Sequence, residues 1–359
     1  MRVIIAGGGT GGHLFPAVAV GEEIVRQRPA SEVLYVGASN GFEARWMPGR
    51  GYRFELLAVH GIRGHGAAAR MRALAEFVRA ARLARAIVAR MRPHLVVCVG
   101  GYASAPVGAA AALARVPIVM LEQNVMPGLS NRILQRFARR ICISFADSLV
   151  YFPPAKVELT GNPVRYRART DRTPIEARPA QILVLGASTG AHRLNIGVVG
   201  AFKIWGKGVI KLKVTHQTGE ADVELVRQAY GELPLNAEVV PFIDDVPAAL
   251  AAADLVVGRS GGGTVTDIAL AARAAIFVPY PFHRDMQQLH NARVIEKLGG
   301  AIIVADDSHI AENLAREMKS LLGDPARLVA MGVRANAAAY PDAAARVARV
   351  CFDSARVEN

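Results

Sequence analysis

Apolar residues in this chain fall in short unbroken runs separated by longer stretches of helical spacing. Runs at 3–6, 33–37, 95–101, 118–122 and 140–144 read as strands in the first half. A second series starts at Gln181, with runs at 182–186, 211–215, 237–241, 255–258, 275–279 and 301–304. Continuous runs, as opposed to alternating ones, indicate strands covered on both faces, as in a parallel sheet. Strands that alternate with helices predict a doubly wound α/β domain, here twice over. The turn-rich 160–165 segment and the polar 167–178 stretch read as the linker. The expected division is 1–163, then 164–340, with a terminal helix at 343–352 packing back on the first domain. In open sheets of this kind ligands bind beyond the strand C-termini, which predicts a site in an interdomain cleft.

Two of the strand-to-helix turns share a design. One is Gly7-Gly8-Gly9-Thr10-Gly11-Gly12-His13, and the other is Gly186-Ala187-Ser188-Thr189-Gly190-Ala191-His192. Such a turn exposes backbone N–H groups at a helix N-terminus, where the dipole favours an anion. Phosphate is the ligand chemistry both suggest. Gly7, Gly9 and Gly12 satisfy the dinucleotide spacing, but no acidic residue follows at Val36-Gly37-Ala38-Ser39, where a ribose partner belongs. No Walker lysine motif and no Asp-x-Asp occurs, which argues against a P-loop NTPase and against a metal-bridged diphosphate. A helix N-terminus with an arginine can supply the same electrostatic stabilisation.

Further along, Arg259-Ser260-Gly261-Gly262-Gly263-Thr264-Val265-Thr266-Asp267 is a third Gly-rich turn after a strand. Its amides suit a diphosphate. Asp267 reads either as an acceptor for ribose hydroxyls or as an acid complementing a helix dipole. The adjacent Gln287 and Gln288 offer donors and acceptors without charge, which suits vicinal sugar hydroxyls or a solvated helix face. Glu122-Gln123-Asn124 is a similarly polar group at a strand end.

Composition narrows the class. The chain has 359 residues, 52% hydrophobic and 20% charged, enough apolar material for large cores. It opens directly into a strand, so no signal peptide is expected. Cys98, Cys142 and Cys351 are odd in number and lack ligand spacing, which points to packing in a cytosolic protein. The uncharged 93–114 segment is interrupted by Gly100-Gly101 and Pro106 and reads as strand, turn and helix, not a membrane span. Net charge is +13, unevenly placed: residues 1–163 carry 20 Lys and Arg against 9 Asp and Glu, and the remainder 23 against 21. The first half is thus expected to meet something anionic. The 70–92 stretch sets Leu74, Phe77, Val78, Ala84, Ile87, Val88 and Met91 at helical spacing among seven arginines. It reads either as a core-docked helix with a solvated Arg face or as one resting on anionic lipid. The Gly-rich 60–66 loop beside it is a candidate lid.

Seven strings occur in an order that resembles the MurG family of peptidoglycan N-acetylglucosaminyltransferases along nearly the whole chain. They are Gly8-Gly9-Thr10-Gly11-Gly12-His13, Gly100-Gly101-Tyr102, Glu122-Gln123-Asn124, Gly161-Asn162-Pro163-Val164-Arg165, Phe242-Ile243-Asp244-Asp245, Arg259-Ser260-Gly261 and Asp285-Met286-Gln287-Gln288 with Asn291-Ala292. The resemblance implies a GT-B fold, two Rossmann-like doubly wound domains, and metal-independent, cofactor-free inverting transfer. It implies N-acetylglucosamine moving from its UDP donor to the lipid-linked muramyl-pentapeptide (lipid I), giving lipid II. It also implies a peripheral position on the cytoplasmic face of the plasma membrane, with cell-wall synthesis or division proteins as partners. Carried onto this chain, Gly8, Gly9, Gly101 and Tyr102 stand on the acceptor side, and Thr10, Gly11 and Gly12 line the cleft. Asn124 and Gln287 contact the donor sugar, with Gln288 beside them. Arg165 and Ser188 meet the diphosphate, and Ile243 holds uracil through its backbone. Gly262, Gly263, Thr264, Val265 and Thr266 wrap the nucleotide, and Asp267 takes the ribose. The chain departs from the family pattern at Asp267 (usually Glu), at Gly262-Gly263 (usually Ala-Leu or similar) and at Leu121 (commonly His). The first of these shortens the reach to the ribose by about 1.5 Å.

His13 is the candidate general base, since a neutral imidazole suits acceptance of the attacking hydroxyl's proton. A hydrogen bond that only shapes the loop is its other reading. A UDP-sugar epimerase or hydrolase on the same frame is the second enzymatic reading, and a donor-binding scaffold without activity a further one. Nucleic-acid binding is disfavoured, because aromatics are only 6% and no recognition motif is visible.

Overall fold

The computed structural model describes residues 1–59, 67–166, 178–186, 190–282 and 285–355. Two compact units emerge from its contacts, one of residues 1–165 together with the segment from Asp342 onward, the other Tyr166–Pro341.

The first unit holds β1 (Arg2–Ala6), α1 (Gly11–Gln27), β2 (Glu32–Ala38), α2 (Glu43–Trp46), β3 (Phe54–Leu57), α3 (Ala67–Met91), β4 (Leu95–Cys98), α4 (Ser104–Leu113), β5 (Ile118–Glu122), α5 (Leu129–Leu134), β6 (Arg140–Ile143) and β7 (Val157–Leu159). Its seven strands are ordered β3-β2-β1-β4-β5-β6-β7 and pair in parallel. Because side chains alternate along a strand, β1 sends Ile4 and Ala6 to one face and Val3 and Ile5 to the other. The first face packs on Ala84, Ile87 and Val88 of α3 and on Val107, Ala110 and Ala111 of α4. The second packs on Leu14 and Val18 of α1.

The second unit repeats the plan with β8 (Ala180–Leu185), α6 (His192–Trp205), β9 (Leu212–Gln217), α7 (Val223–Gly231), β10 (Asn236–Val240), α8 (Val246–Ala252), β11 (Leu255–Gly258), α9 (Gly262–Leu270), β12 (Ala274–Phe277), α10 (Gln287–Glu296), β13 (Ala301–Ile303), α11 (Ile310–Leu322) and α12 (Pro325–Asn336). Its order, β10-β9-β8-β11-β12-β13, is also parallel throughout. The chain then returns to the first unit through α13 (Ala343–Ser354), whose Val347, Ala348 and Cys351 join the core beneath α1. All three cysteines are buried and free.

Edge strands β3 and β7 escape the apolar-run criterion. They are short, carry Glu55 and Glu158, and need cover on fewer sides than a central strand. The run at 95–101 ends as a strand at Cys98, because Gly100 and Gly101 take φ of +87° and +79° and turn the chain into α4. The expected 60–66 lid, most of the 167–178 linker, and the side chains of Arg70, Arg72 and Leu74 lie outside the described residues. Among the described residues no helix is long and apolar enough to cross a membrane.

Candidate active site

In the first unit the expected residues gather where β1, β4 and β5 end. Thr10 is the N-cap of α1, and Gly11 and Gly12 form its first turn. Their amides precede the first intrahelical bonds and are left as donors. His13 hydrogen-bonds Thr10 Oγ1 through Nδ1 at 3.2 Å. Its other ring edge faces Gly100, where a Cβ would sit 3.0 Å from Nε2. A Cβ on Gly101 would lie 2.0 Å from the Gly8 carbonyl oxygen, so these two strand-end turns touch backbone to backbone. Tyr102 lies over Gly9, its ring 3.7 Å from where a Cβ would be. Gly8, Gly9, His13, Gly101 and Tyr102 therefore form one surface. Burial lowers the His13 pKa to about 4, so the ring is neutral at pH 7 but a weak base.

Asn124 belongs to a loop organised by Glu122. That buried carboxylate accepts from the Asn124 amide (3.0 Å) and Nδ2 (3.3 Å), from Asn131 Nδ2 (2.9 Å) and from the Gly128 amide (3.2 Å). Burial raises its pKa and the four bonds oppose the rise. Arg165 is engaged elsewhere. Its guanidinium donates to Glu22 at 3.0 and 3.2 Å and to the Tyr52 hydroxyl at 3.1 Å, and it stacks over Trp46. Its Nε and Nη2 are thus engaged within the first unit, while the side chain stays about one-third exposed.

One amide of the first Gly-rich turn has a partner within the chain. The Gly9 amide is already taken by the Glu43 carboxylate, at 2.8 and 3.0 Å, so it is not open to phosphate. Sequence reasoning missed Glu43 because the search for an acid after β2 stopped at Ser39, and the chain folds back only beyond Gly41.

In the second unit Gly261 caps α9, and the amides of Gly262, Gly263 and Thr264 precede the bond from Val265 N to Gly261 O. They are the free donors of this helix start. Thr266 turns inward, donating its hydroxyl to Gly262 O at 2.9 Å. Asp267 lies in the second turn, beyond the reach of the N-terminal dipole, which removes the dipole reading. Its carboxylate accepts a hydrogen bond from the Tyr166 hydroxyl, and burial raises its pKa to about 6. Tyr166 stands alone beside the linker, and no local pattern marks it.

Gln288 is structural on its inner side. Its Oε1 accepts from the Tyr280 amide at 2.9 Å, and its carbonyl from Ser260 Oγ at 2.7 Å. Asn291 closes the loop by donating to Ser260 O at 3.1 Å. Gln287 opens α10, its amide bonded to Asp285 Oδ1 at 3.3 Å. Behind the turn the buried Arg259 pairs with Asp306 at 2.8 Å, and Arg193 reaches the same carboxylate at 2.6 Å. Ile243 lines a pocket of about 360 Å³ with Phe242, Asp244, Lys213 and Thr215, whose lining includes none of residues 262–267. Ser188 lies outside the described residues.

The Glycosyltransferase family 28 N-terminal domain profile matches residues 3–143, and the C-terminal domain profile of the same family matches residues 181–347. A UDP-N-acetylglucosamine--N-acetylmuramyl-(pentapeptide) pyrophosphoryl-undecaprenol N-acetylglucosamine transferase of Geobacter sulfurreducens is 41% identical across 100% of both chains. One of the same name from Myxococcus xanthus is 39% identical over 98% of this chain and 93% of its own. The crystal structure of Acinetobacter baumannii MurG superposes with a TM-score of 0.78 at 29% identity, covering 98% of this chain and 99% of that one. A UDP-GlcNAc 2-epimerase from Neisseria meningitidis reaches a TM-score of 0.69 at 11% identity, a likeness of fold alone. With a Rossmann-like parallel sheet in each unit, a family 28 domain profile matched by each, and identity near two-fifths over the full length, this chain belongs to glycosyltransferase family 28, among the N-acetylglucosamine transferases that carry the pyrophosphoryl-undecaprenol name.

Proposed function

We propose that this enzyme transfers N-acetylglucosamine from UDP-N-acetylglucosamine to the 4-hydroxyl of the muramyl unit of lipid I, forming lipid II for peptidoglycan. The full-length identity of 41% to a transferase of that name carries the reading, because it spans the first unit as well as the second. An epimerase shares the fold but would have no need of an acceptor surface in the first unit.

The first unit offers the acceptor surface of Gly8, Gly9, Gly101 and Tyr102. The second unit offers the nucleotide side. The amides of Gly262, Gly263 and Thr264 suit the diphosphate, with Val265 and Thr266 holding the turn behind them. Asp267 suits the ribose, the backbone of Ile243 the uracil, and Gln287 the sugar hydroxyls. Asn124, oriented by Glu122, Gln288 and the Thr10-Gly11-Gly12 turn complete the donor set. Ser188 remains with the diphosphate in this assignment, and Arg165 moves to a bracing role. The transfer is a single displacement with inversion. The 4-hydroxyl oxygen bonds to the anomeric carbon, His13 accepts its proton, and the anomeric bond to UDP breaks with its electron pair on phosphate. The helix start amides stabilise that charge without reorganising.

A lipid-linked acceptor supports a peripheral position at the membrane, which this reading assigns to its cytoplasmic face. Helices α3 and α4 and the turn after α5 expose Met71, Leu83, Leu113 and Phe137 among Arg79, Arg82, Arg85, Arg136 and Arg139. Apolar side chains ringed by arginine suit an anionic lipid surface. Proteins of cell-wall synthesis or division are further partners in this reading.

The test is transfer of labelled N-acetylglucosamine to a short-chain lipid I analogue with EDTA present. Labelled disaccharide product is expected. UDP release that is independent of the acceptor overturns the reading in favour of a hydrolase.

A further inference from the structure

Glu43 begins the short helix α2, a few residues beyond the end of β2, and only 1% of it is exposed. Its carboxylate accepts from the Gly9 amide with both oxygens and from the Ala38 amide with Oε1 at 2.6 Å. Among the described residues no basic side chain pairs with it. Glycines make the space it occupies. A Cβ on Gly8, Gly37 or Gly41 would lie 2.1, 2.4 or 2.4 Å from atoms of the Glu43 side chain. An anion caged by glycines and held by main-chain amides is how such turns hold phosphate. Here the anion is supplied by the chain itself.

This carboxylate acts on the loop that carries the acceptor surface. Gly8 and Gly9 take φ of +137° and +101°, and Glu43 pins the second of them from behind. The Gly8 carbonyl abuts Gly101, Gly9 lies under Tyr102, and Thr10 starts the helix bearing His13.

We propose that Glu43 is a positioning and specificity residue of the transfer reaction. Its carboxylate is a built-in anion that holds the loop of Gly8 and Gly9 in the geometry the acceptor requires and denies that loop to phosphate. The proposal rests on the functional reading above. It concerns the Gly9 amide, which lies before the N-cap Thr10, and leaves the helix-start amides of Gly11 and Gly12 open.

Two full-length variants test it. Glu43→Gln keeps the volume and one accepting oxygen for the Ala38 amide, but its NH2 group takes the place of Oε2 and sets a donor against the Gly9 amide. Its kcat should fall about 100-fold, the loss expected of a displacement near 1 Å at a reacting group. The acceptor KM should rise, while UDP affinity by calorimetry stays as in the unaltered protein. Glu43→Ala empties the cage. Formate, small enough to enter, should restore its kcat saturably, about ten-fold or more, and should not restore Glu43→Gln, whose amide fills the space. Either variant with unaltered kcat and acceptor KM overturns the proposal. So does loss of activity in both that formate leaves unchanged and that parallels loss of folded protein by circular dichroism. If the unaltered chain transfers no sugar, the functional reading fails instead. In that case formate raising the urea midpoint of Glu43→Ala alone still supports the anion cage, and no such rise refutes it.

Discussion

Replacing Asp267 by Asn isolates the cost of a carboxylate held out of water. Burial raises its pKa from 3.8 to about 6 in the folded second unit. In an unfolded chain the group has released its proton by pH 5, whereas in the folded unit it still holds it. The folded state therefore binds more protons between the two values, and stability falls as pH rises through that window. A shift of about 2 units at about 1.36 kcal/mol each amounts to about 3 kcal/mol, absent below pH 3.8 and fully developed above pH 6. Asparagine has the same size, accepts from the Tyr166 hydroxyl and does not titrate. Asp267→Asn should match the parent near pH 4 and exceed it by about 1–3 kcal/mol at pH 7.5. The chain has two tryptophans, Trp46 in the first unit and Trp205 in the second, so a Trp46→Phe background makes urea unfolding by fluorescence report the second unit. The same substitution should weaken UDP binding about ten-fold or more, the worth of a hydrogen bond to a charged acceptor. Parallel stability of the two proteins from pH 4 to 7.5 would refute the argument that this carboxylate is desolvated. A group that costs stability and serves affinity is the trade expected of a binding residue.

Other expectations follow from single positions. His13→Ala should lower kcat by about 10²- to 10⁴-fold with UDP affinity unchanged, and the acid limb of the parent's kcat/KM profile should lie near pH 4, not 6.5. An unchanged kcat would remove His13 as the base. Gly263→Ala meets no atom within 4 Å and sits in a helix, so it should stabilise the second unit by about 0.5–1 kcal/mol in urea unfolding. Gly101→Ala should do the reverse to the first unit, since its Cβ would strike the Gly8 carbonyl at 2.0 Å and its φ is +79°. Arg273 is fully buried and donates to the carbonyls of Leu250 and Ala251 at 2.7 and 2.8 Å, closing the end of α8. Arg273→Met should cost about 2–4 kcal/mol by urea midpoint, and a loss below about 1 kcal/mol would mean water replaces both bonds.

The amino-acid sequence alone determined the architecture. Unbroken runs such as 182–186 and 255–258 have a physical meaning that needs no neighbours. A strand apolar on both faces must be covered on both faces, and the covering helices must lie between the strands. The same local logic marked the helix starts at Gly11 and Gly262, because glycine-rich turns and capping are short-range. Edge strands β3 and β7 were beyond it, since only their place at the margin makes such short, mostly half-exposed segments strands. Pairing of side chains was likewise decided only by the tertiary structure. Arg165 reads in the sequence as an unpaired cation, and only the fold shows Glu22, far away in the sequence, paired with it. Gln288 reads in the sequence as an amide with all its groups open, and only the fold shows its oxygen taken by the Tyr280 amide, with its NH2 group left for a ligand. Glu43 lay outside every motif because its function as an anion depends on three glycines from two segments closing around it. Periodicity is written along the chain. The partner of a charge is fixed only when distant strand ends meet, and there desolvation decides which groups stay available for chemistry.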